Sequence, residues 1–234
     1  DTDQNITLSI AATTLDLGGV TDTRTVPMTI TVAAVADGPS ISGSASGNED
    51  QPIALPVTVS RIDADGSEQY DFAEFTIPAG ATLIYPATLP NGITVAVSGS
   101  TFTFRPGAST TPAQFESFLA TGLQVQAPAD SDVNFDVAVR VGTIESVLSG
   151  GEVALLRKDL TVAIPVSVRP VVDMPVVTGA SVVDEDTSVN FGADIAITQN
   201  DKADGSEAIT RIVLGAIPAA ATVTYTAQGG TSVI

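Results

Sequence analysis

The chain has 234 residues, 44% of them hydrophobic, which is enough apolar material to form packed cores. It carries 27 Asp and Glu residues against 9 Lys and Arg residues, and the resulting net charge of −18 disfavours binding to nucleic acid or to anionic lipid. Cys and His are both absent, so disulfides and thiolate or imidazole metal sites are excluded, and any bound metal would be a hard cation held by oxygen atoms.

The predicted elements, in chain order, are β-strands with one short helix. Alternating apolar and polar residues predict strands at 93–97, 101–104 and 134–141. Further strands are expected at 41–47, 54–60 and 159–169, with the strand that begins at 134 extending to 144. Before the last two strands, Thr111 and Pro112 predict the start of a helix that ends at Gly122, and its apolar face is expected in the core. Short strands with frequent turns predict an all-β fold of tandem antiparallel β-sandwich repeats, each with one short helix. No apolar run is long enough to cross a bilayer, so we expect no direct membrane insertion.

The chain also contains internal repeats. The linker Asp37-Gly38-Pro39 matches Asp173-Met174-Pro175, "DGSE" at 65–68 recurs at 204–207, and "IPAGAT" at 77–82 recurs as "IPAAAT" at 217–222. Asp1, Asp3 and Asn5 match Asp130, Asp132 and Asn134. We therefore predict the C-terminal part of a repeat in 1–36, a complete β-sandwich repeat in 37–172 and the N-terminal part of a third repeat in 173–234. Further flanking repeat sequence is expected, in preference to pairing of the partial repeats between chains.

Strand direction predicts where the acidic loops of each repeat meet. If 41–47 runs away from the amino-terminal pole, where the chain enters the sandwich, "NEDQP" (48–52) and "ADSD" (129–132) meet at the carboxy-terminal pole. "DADGSE" (63–68) then lies at the amino-terminal pole, facing the preceding repeat. The first junction would collect Asp1, Asp3, Asp37, Asp63, Asp65 and Glu68, and the second would collect Asn48, Glu49, Asp50, Asp130, Asp132, Asp173, Asp201, Asp204 and Glu207.

So many carboxylates in one place predict a bound cation. Unit charges ~4 Å apart repel by ~4 kcal/mol at an effective dielectric of ~20, which would force the repeats apart. Ca²⁺ suits the cluster because it accepts ~6–8 oxygen ligands in flexible geometry, whereas Mg²⁺ demands octahedral order. An EF-hand is excluded, since its sixth position counted from Asp63 is Glu68 instead of glycine. Lys202 replaces the first Asp of the loop in the third repeat and weakens that junction unless Asp201 substitutes.

The ordered series "NEDQP", "DADGSE", "IPAGAT", "TPAQFESFLATGLQV" and "PADSDVNFDVAV" resembles the tandem cadherin-like or immunoglobulin-like repeats of giant type I-secreted bacterial adhesins, the RTX adhesins. The resemblance covers the whole chain. It implies an extracellular extender at the bacterial cell surface, serving adhesion and biofilm formation, with Ca²⁺ between neighbouring repeats of the same chain. It implies ligand roles for Glu49, Asp50, Asp63, Asp65, Glu68, Asp130, Asp132, Asp173, Glu185, Asp186, Asp204 and Glu207. The glycine-rich nonapeptide of RTX β-rolls is absent from the sequence.

Two other functions compete with the extender. A sugar- or peptide-binding module of the same kind of adhesin would need exposed aromatic rings, but Trp is absent, and the candidates Tyr70 and Tyr85 are expected to be buried. We do not expect an enzyme, because a Ser nucleophile would lack a His base. Glu145 and Glu152, near the Gly150-Gly151 hairpin, are interpreted as solvated loop acids and not as a catalytic carboxylate pair.

Overall fold

β-Strands dominate the structure, a computed structural model that describes residues 5–62, 66–149, 152–199, 205–227 and 230–233. Two compact units comprise residues 1–171 and 172–234. Their boundary is adjacent to the predicted end of the complete repeat, and residues 1–36 belong to the same unit as that repeat. The division into three parts stays a prediction. No helix in the described part of the chain combines the length and the apolar character that a membrane crossing requires.

The elements of the first unit are, in chain order, β1 (Ile6–Leu15), β2 (Thr21–Ile30), β3 (Ser40–Gly43), β4 (Ala45–Asn48), β5 (Ile53–Ala54), β6 (Val57–Ser60), β7 (Glu68–Thr76), β8 (Thr82–Ile84), a 3₁₀ turn (Pro90–Gly92), β9 (Thr94–Ser98), β10 (Thr101–Arg105), α1 (Pro112–Thr121), β11 (Gln124–Gln126), β12 (Phe135–Ser149) and β13 (Glu152–Arg169). Those of the second unit are β14 (Val176–Gly179), α2 (Phe191–Asp194), β15 (Ile195–Thr198), β16 (Thr224–Ala227) and β17 (Gly230–Val233).

The region predicted to be the complete repeat forms a β-sandwich, as the sequence predicts. One layer is a six-stranded sheet in the order β4-β13-β12-β7-β10-β9, and the other combines the smaller sheets β5-β11-β8 and β3-β6 with α1. All described strand pairs are antiparallel except β4 with β13, which is parallel. The hairpin β1-β2 forms its own two-stranded sheet, and the second unit contains the pairs β14-β15 and β16-β17.

Alternation along the strands builds the core between the layers. Val137, Val139 and Val141 of β12 are fully buried, while the residues between them face outward. Phe104 of β10 packs edge-on against Phe75, with their ring centroids 5.8 Å apart. The smaller layer contributes buried residues from β5, β6, β8, β11 and α1 to the same core.

The helix forms where the sequence predicts it. Thr111 is its N-cap, and a reciprocal capping box joins Thr111 to Gln114, with their nitrogen–oxygen distances at 2.9 and 3.3 Å. Pro112 occupies the first turn and Gly122 caps the carboxyl end. The predicted apolar face is buried, at Phe115, Phe118 and Leu119.

Two strand predictions are corrected. The predicted strand 41–47 divides into β3, which pairs with β6, and β4, which pairs with β13. The predicted strand 54–60 divides into β5 and β6. The chain changes sheet at Gly43, where a Cβ atom would come within 2.5 Å of the Pro56 carbonyl oxygen, so only glycine permits this close approach. The predicted strand directions are confirmed, since β4 runs parallel to β13 and β13 runs antiparallel to β12.

Candidate cation-binding poles of the complete repeat

The carboxy-terminal pole of the complete repeat brings two predicted acidic loops together. Asp50 and Asp130 each adopt a left-handed backbone, with φ of 56° and 53°. The Asp130 N–H donates a hydrogen bond of 3.1 Å to Asp50 Oδ1, and one carboxylate oxygen of each residue lies within 4.8 Å of the other. Strand direction therefore predicted this meeting of "NED" and "ADSD" correctly.

Glu49 holds the chain as it leaves this pole. Its side chain is buried, and one carboxylate oxygen accepts a hydrogen bond from the Val171 N–H, just beyond the end of β13. The Glu49 N–H in turn donates to the Arg169 carbonyl oxygen at 3.0 Å, which continues the parallel pairing of β4 with β13. The outgoing chain is thus fastened to the acidic turn through its backbone.

The amino-terminal pole fastens the incoming chain in a similar way. Glu68 Oε1 accepts a hydrogen bond of 2.9 Å from the Asp37 N–H. Thr143 Oγ1, which is also buried, donates one of 2.7 Å to the Asp37 carbonyl oxygen. Both polar backbone groups of the linker residue Asp37 are therefore bound by side chains of the sandwich.

A β-bulge in β7 turns Glu68 into the protein. In the register of β7 with β12, Gly142 lies opposite Phe72 and Thr143 lies opposite Tyr70, so Asp71 is an extra residue. Residues 73 and 75 face the core on one side of this bulge, and residues 68 and 70 face it on the other. Because side chains alternate along a strand, Glu68 would point outward without the extra residue.

The carboxylate of Asp71 stabilises the bulge from outside. It accepts hydrogen bonds from Arg105, at 2.7 Å, and from Arg157. These arginines belong to β10 and β13, so the bulge is linked to two other strands of the same sheet.

Glu145 lies directly opposite Glu68 in the register of β12 with β7. Glu68 is 0% exposed and Glu145 is 1% exposed. Glu68 Oε2 and both carboxylate oxygens of Glu145 have no hydrogen-bond partner in the described part of the chain. Burial is the main cause that raises the pKa of Glu68, the nearby carboxylates of Asp37 and Glu145 raise it further, and the nearby Thr143 hydroxyl and the hydrogen bond from the Asp37 N–H lower it.

Among the described residues, no Lys or Arg nitrogen lies within 4.0 Å of a carboxylate oxygen of this pair. Arg61 is nearest in sequence, but its guanidinium donates to the backbone carbonyl oxygen of Glu68, and its Nε is itself buried without a partner. The ion pairs of the described chain, with nitrogen and oxygen within 4.0 Å, involve Asp71 and Asp159 instead.

The interpretation of Glu145 as a solvated loop acid is wrong. The hairpin of β12 and β13 is longer than predicted, so Glu145 lies within a paired strand. The alternation that buries Val137, Val139 and Val141 continues through Thr143 to Glu145, and this period of two is the signal that could have placed Glu145 inside. Glu152 begins β13, with its backbone opposite Ser149.

The second unit repeats local features of the first. Glu207 Oε1 accepts a hydrogen bond of 2.6 Å from the Asp173 N–H, as Glu68 does from Asp37. Asp186 has φ of 62°, the left-handed conformation of its counterpart Asp50. Gly205 and Gly66 both have positive φ, 80° and 98°, and this conformation is strained for residues other than glycine. The matched sequences thus adopt matched local conformations.

The remaining predicted ligands that the structure describes lie in turns or next to strand ends. Asn48 is exposed at the end of β4, Asp132 is partly buried before β12, and Glu185 and Asp186 are exposed in a turn. The other predicted ligands lie outside the described residues: Asp1, Asp3, Asp63, Asp65, Asp201 and Asp204.

The two tyrosine candidates for ligand binding lie in or against the core. Tyr70 is 4% exposed and donates a hydrogen bond of 2.8 Å from its hydroxyl to Glu116 Oε1. Burial and this hydrogen bond raise the pKa of Tyr70. Tyr85 is partly buried and packs edge-on against Phe102 and Phe104. The expected burial is thus complete for Tyr70 and partial for Tyr85.

Both poles offer donor atoms that fit a hard cation. The donor groups are carboxylates, a hydroxyl and backbone carbonyls, all of which suit Ca²⁺ better than a transition metal. Three buried carboxylate oxygens at the amino-terminal pole also lack the hydrogen-bond partners that would offset their loss of contact with water, among the residues that the structure describes. Neither the family models nor the curated proteins include a match to this chain.

Proposed function

We propose that this chain is a segment of an extracellular stalk, in which tandem β-sandwich repeats extend a bacterial cell-surface adhesin and Ca²⁺ stiffens their junctions. The all-β sandwich, the net charge of −18 and the ordered acidic motifs support this proposal. The extender needs no ligand pocket or catalytic group. Its working parts are the linkers and the poles of each repeat.

The recurring hydrogen bond between linker and acidic loop is the observation that carries the proposal. Asp37 donates its N–H to Glu68 in the first unit, and Asp173 donates its N–H to Glu207 in the second. In both places the glutamate of a "DGSE" loop binds the linker aspartate through its backbone. This backbone hydrogen bond would hold each linker on a fixed path into its repeat. It also leaves the carboxylate of the linker aspartate available to bind a cation.

The outgoing linker supplies the second half of the argument. Glu49 holds the Val171 N–H beside the Asp50–Asp130 pair. Two further residues of chain reach at most about 7 Å, so covalent connection alone keeps Asp173 near that pair. A Ca²⁺ ion bound by Asp50, Asp130 and Asp173 would then restrict the linker in every repeat that carries this arrangement.

Small-angle X-ray scattering of the 234-residue chain tests the proposal. With Ca²⁺ we expect a longer, narrower particle than in EDTA, because neutralised junctions hold the two units in line. The variant Asp173→Asn should lose most of this difference, whereas Asp159→Asn, an exposed acid paired with Arg140, should keep it. Superimposable profiles in Ca²⁺ and EDTA would refute the stalk mechanism.

A further inference from the structure

The face-to-face arrangement of Glu68 and Glu145 is not explained by fastening the linker. Only Glu68 Oε1 serves that purpose, since it binds the Asp37 N–H. Three carboxylate oxygens of the pair stay without a partner in the described chain, although both side chains are at least 99% buried. Moving a carboxylate out of water is unfavourable unless charge or hydrogen bonds compensate it.

Two internal sources of compensation fall short. One shared proton would join two of the three free oxygens and leave the third without a partner. Arg61 is directed to the Glu68 carbonyl oxygen, and it forms no ion pair with either carboxylate in the described structure. A divalent cation could contact all three oxygens and neutralise both charges together.

We propose that Glu68 and Glu145 jointly bind one Ca²⁺ ion inside the complete repeat. The inference rests on the proposed function for the identity of the ion, but the site needs no ligand from a neighbouring repeat. Thr143 Oγ1 and the Asp37 carbonyl oxygen belong to the same pole and are further oxygen donors. Glu145 is then a Ca²⁺ ligand, although it lies within a paired strand and not in a loop.

The first repeat contains an instructive counterpart to Glu145. The spacing that matches Asp1 and Asp3 to Asp130 and Asp132 also matches Asp16 to Glu145. Asp16 is exposed in the turn after β1, and its Oδ1 accepts hydrogen bonds of 2.8 Å from the Gly18 N–H and 2.9 Å from the Val20 N–H. Asp16, in the shorter β1-β2 hairpin, is hydrogen-bonded by the backbone of its own turn. Glu145, in the longer β12-β13 hairpin, is buried and requires another partner.

Terbium luminescence of the full chain tests the site, with Tb³⁺ as a probe that occupies Ca²⁺ sites and is excited through nearby tyrosine. Tyr70 is two residues from Glu68 on the same face of β7, so Tb³⁺ bound by the pair should emit strongly. Tyr70→Phe should remove most of the emission, whereas Tyr85→Phe should not. Ca²⁺ should displace Tb³⁺, and Glu145→Gln should weaken the apparent affinity at this site by about tenfold or more.

Glu74→Gln is the matched control, because Glu74 lies on the same strand but faces away from the core. Circular dichroism in EDTA should show Glu145→Gln to be as well folded as the unmodified chain. If that variant does not fold, the comparison of Tyr70→Phe with Tyr85→Phe decides. Emission that survives in folded Glu145→Gln, or that depends on Tyr85 instead of Tyr70, overturns the inference.

This outcome is separable from the stalk mechanism. If Ca²⁺ lengthens the chain in scattering but Tyr70 never sensitises Tb³⁺, the internal site is wrong and the stalk stands. If Tyr70 sensitises Tb³⁺ but Ca²⁺ leaves the scattering unchanged, the stalk mechanism is wrong and the internal site stands.

Discussion

The two poles of the complete repeat fasten their linkers by the same device but differ in their buried carboxylates, which are Glu68 and Glu145 at the amino-terminal pole and Glu49 at the carboxy-terminal pole. Glu68 holds the incoming chain and Glu49 holds the outgoing chain, each through a backbone N–H. At the amino-terminal pole a second buried carboxylate, Glu145, faces the first. At the carboxy-terminal pole the additional acids, Asp50 and Asp130, lie in turns that are partly open to water.

This difference separates two uses of an acidic side chain. Water screens Asp50 and Asp130 in their turns, so these two acids cost the carboxy-terminal pole little stability when no cation is bound. Water does not screen the buried, facing carboxylates of the amino-terminal pole, so their repulsion should lower the free energy of unfolding when no cation is bound. A bound cation would remove this repulsion and raise the free energy of unfolding. A chain built this way would couple folding of the pole to the presence of Ca²⁺.

The largest expected effect comes from removing the buried charge at the amino-terminal pole. In EDTA, Glu145→Leu should raise the free energy of unfolding by about 1–4 kcal/mol, because an apolar side chain of similar size replaces an uncompensated carboxylate. Denaturant unfolding of the full chain measures this change. Added Ca²⁺ should stabilise the unmodified chain more than the variant.

Glu74→Leu provides the control for this prediction, since the side chain lies on the outer face of β7. Its effect in EDTA should stay within about 0.5 kcal/mol. If Glu145→Leu instead weakens the chain in EDTA, the carboxylate pair is already compensated and the contrast between the poles fails.

A smaller effect is expected from the hydroxyl that completes the linker contact. Thr143→Val removes the donor to the Asp37 carbonyl oxygen, 2.7 Å away, while it preserves the shape of the side chain. The partly buried carbonyl would lose a partner, so the free energy of unfolding should fall by about 1–3 kcal/mol. Thr143→Ser keeps the hydroxyl and should recover most of the loss in the same denaturant titration. Equal losses in both variants would indicate that packing, not the hydrogen bond, fixes Asp37.

Local signals in the sequence were sufficient for the helix and for the meeting of two acidic loops. The Thr111 cap depends on a few adjacent residues, and the Asp50–Asp130 contact follows from strand direction. The extra residue Asp71 could not be recognised locally, because a bulge is defined only by the opposing strand. The sheet change at Gly43 likewise depends on the approach of Pro56.

Glu145 escaped prediction for a related reason. A strand pattern is recognised by its apolar residues, and a glutamate at an inward position resembles the end of the strand. Its burial depends on two distant features, the length of the β12-β13 hairpin and the bulge that turns Glu68 inward. Buried carboxylates inside a sheet therefore require the strand register before they can be assigned.

The open pole should respond more weakly to changes in its acids. Asp50→Ala removes the acceptor of the Asp130 N–H and places alanine at φ of 56°, so it should cost about 1–2 kcal/mol of unfolding free energy in EDTA. Asp50→Asn keeps an acceptor and tolerates the left-handed backbone, so its cost should stay within about 0.5 kcal/mol. If asparagine is as costly as alanine, the charge of Asp50 stabilises this pole without a cation, contrary to the comparison.

The smallest effect should come from an acid that is both exposed and paired. Asp159 Oδ2 accepts a hydrogen bond of 2.7 Å from Arg140 Nε, and this contact lowers the pKa of Asp159. A lowered folded-state pKa gives stability that is present above the unfolded pKa and lost as the pH falls through the folded value. Because both side chains are 44% exposed, water and salt should limit the contribution to about 0.5 kcal/mol or less.

Urea unfolding of the unmodified chain and of Asp159→Asn in EDTA, from about pH 6 to about pH 3, measures this contribution as a difference. The advantage of the unmodified chain should be small at the upper pH and should decrease as the pH falls. An advantage above about 1 kcal/mol would mean that surface acids contribute to stability on the scale of a buried hydrogen bond. Burial would then no longer explain why the two poles differ.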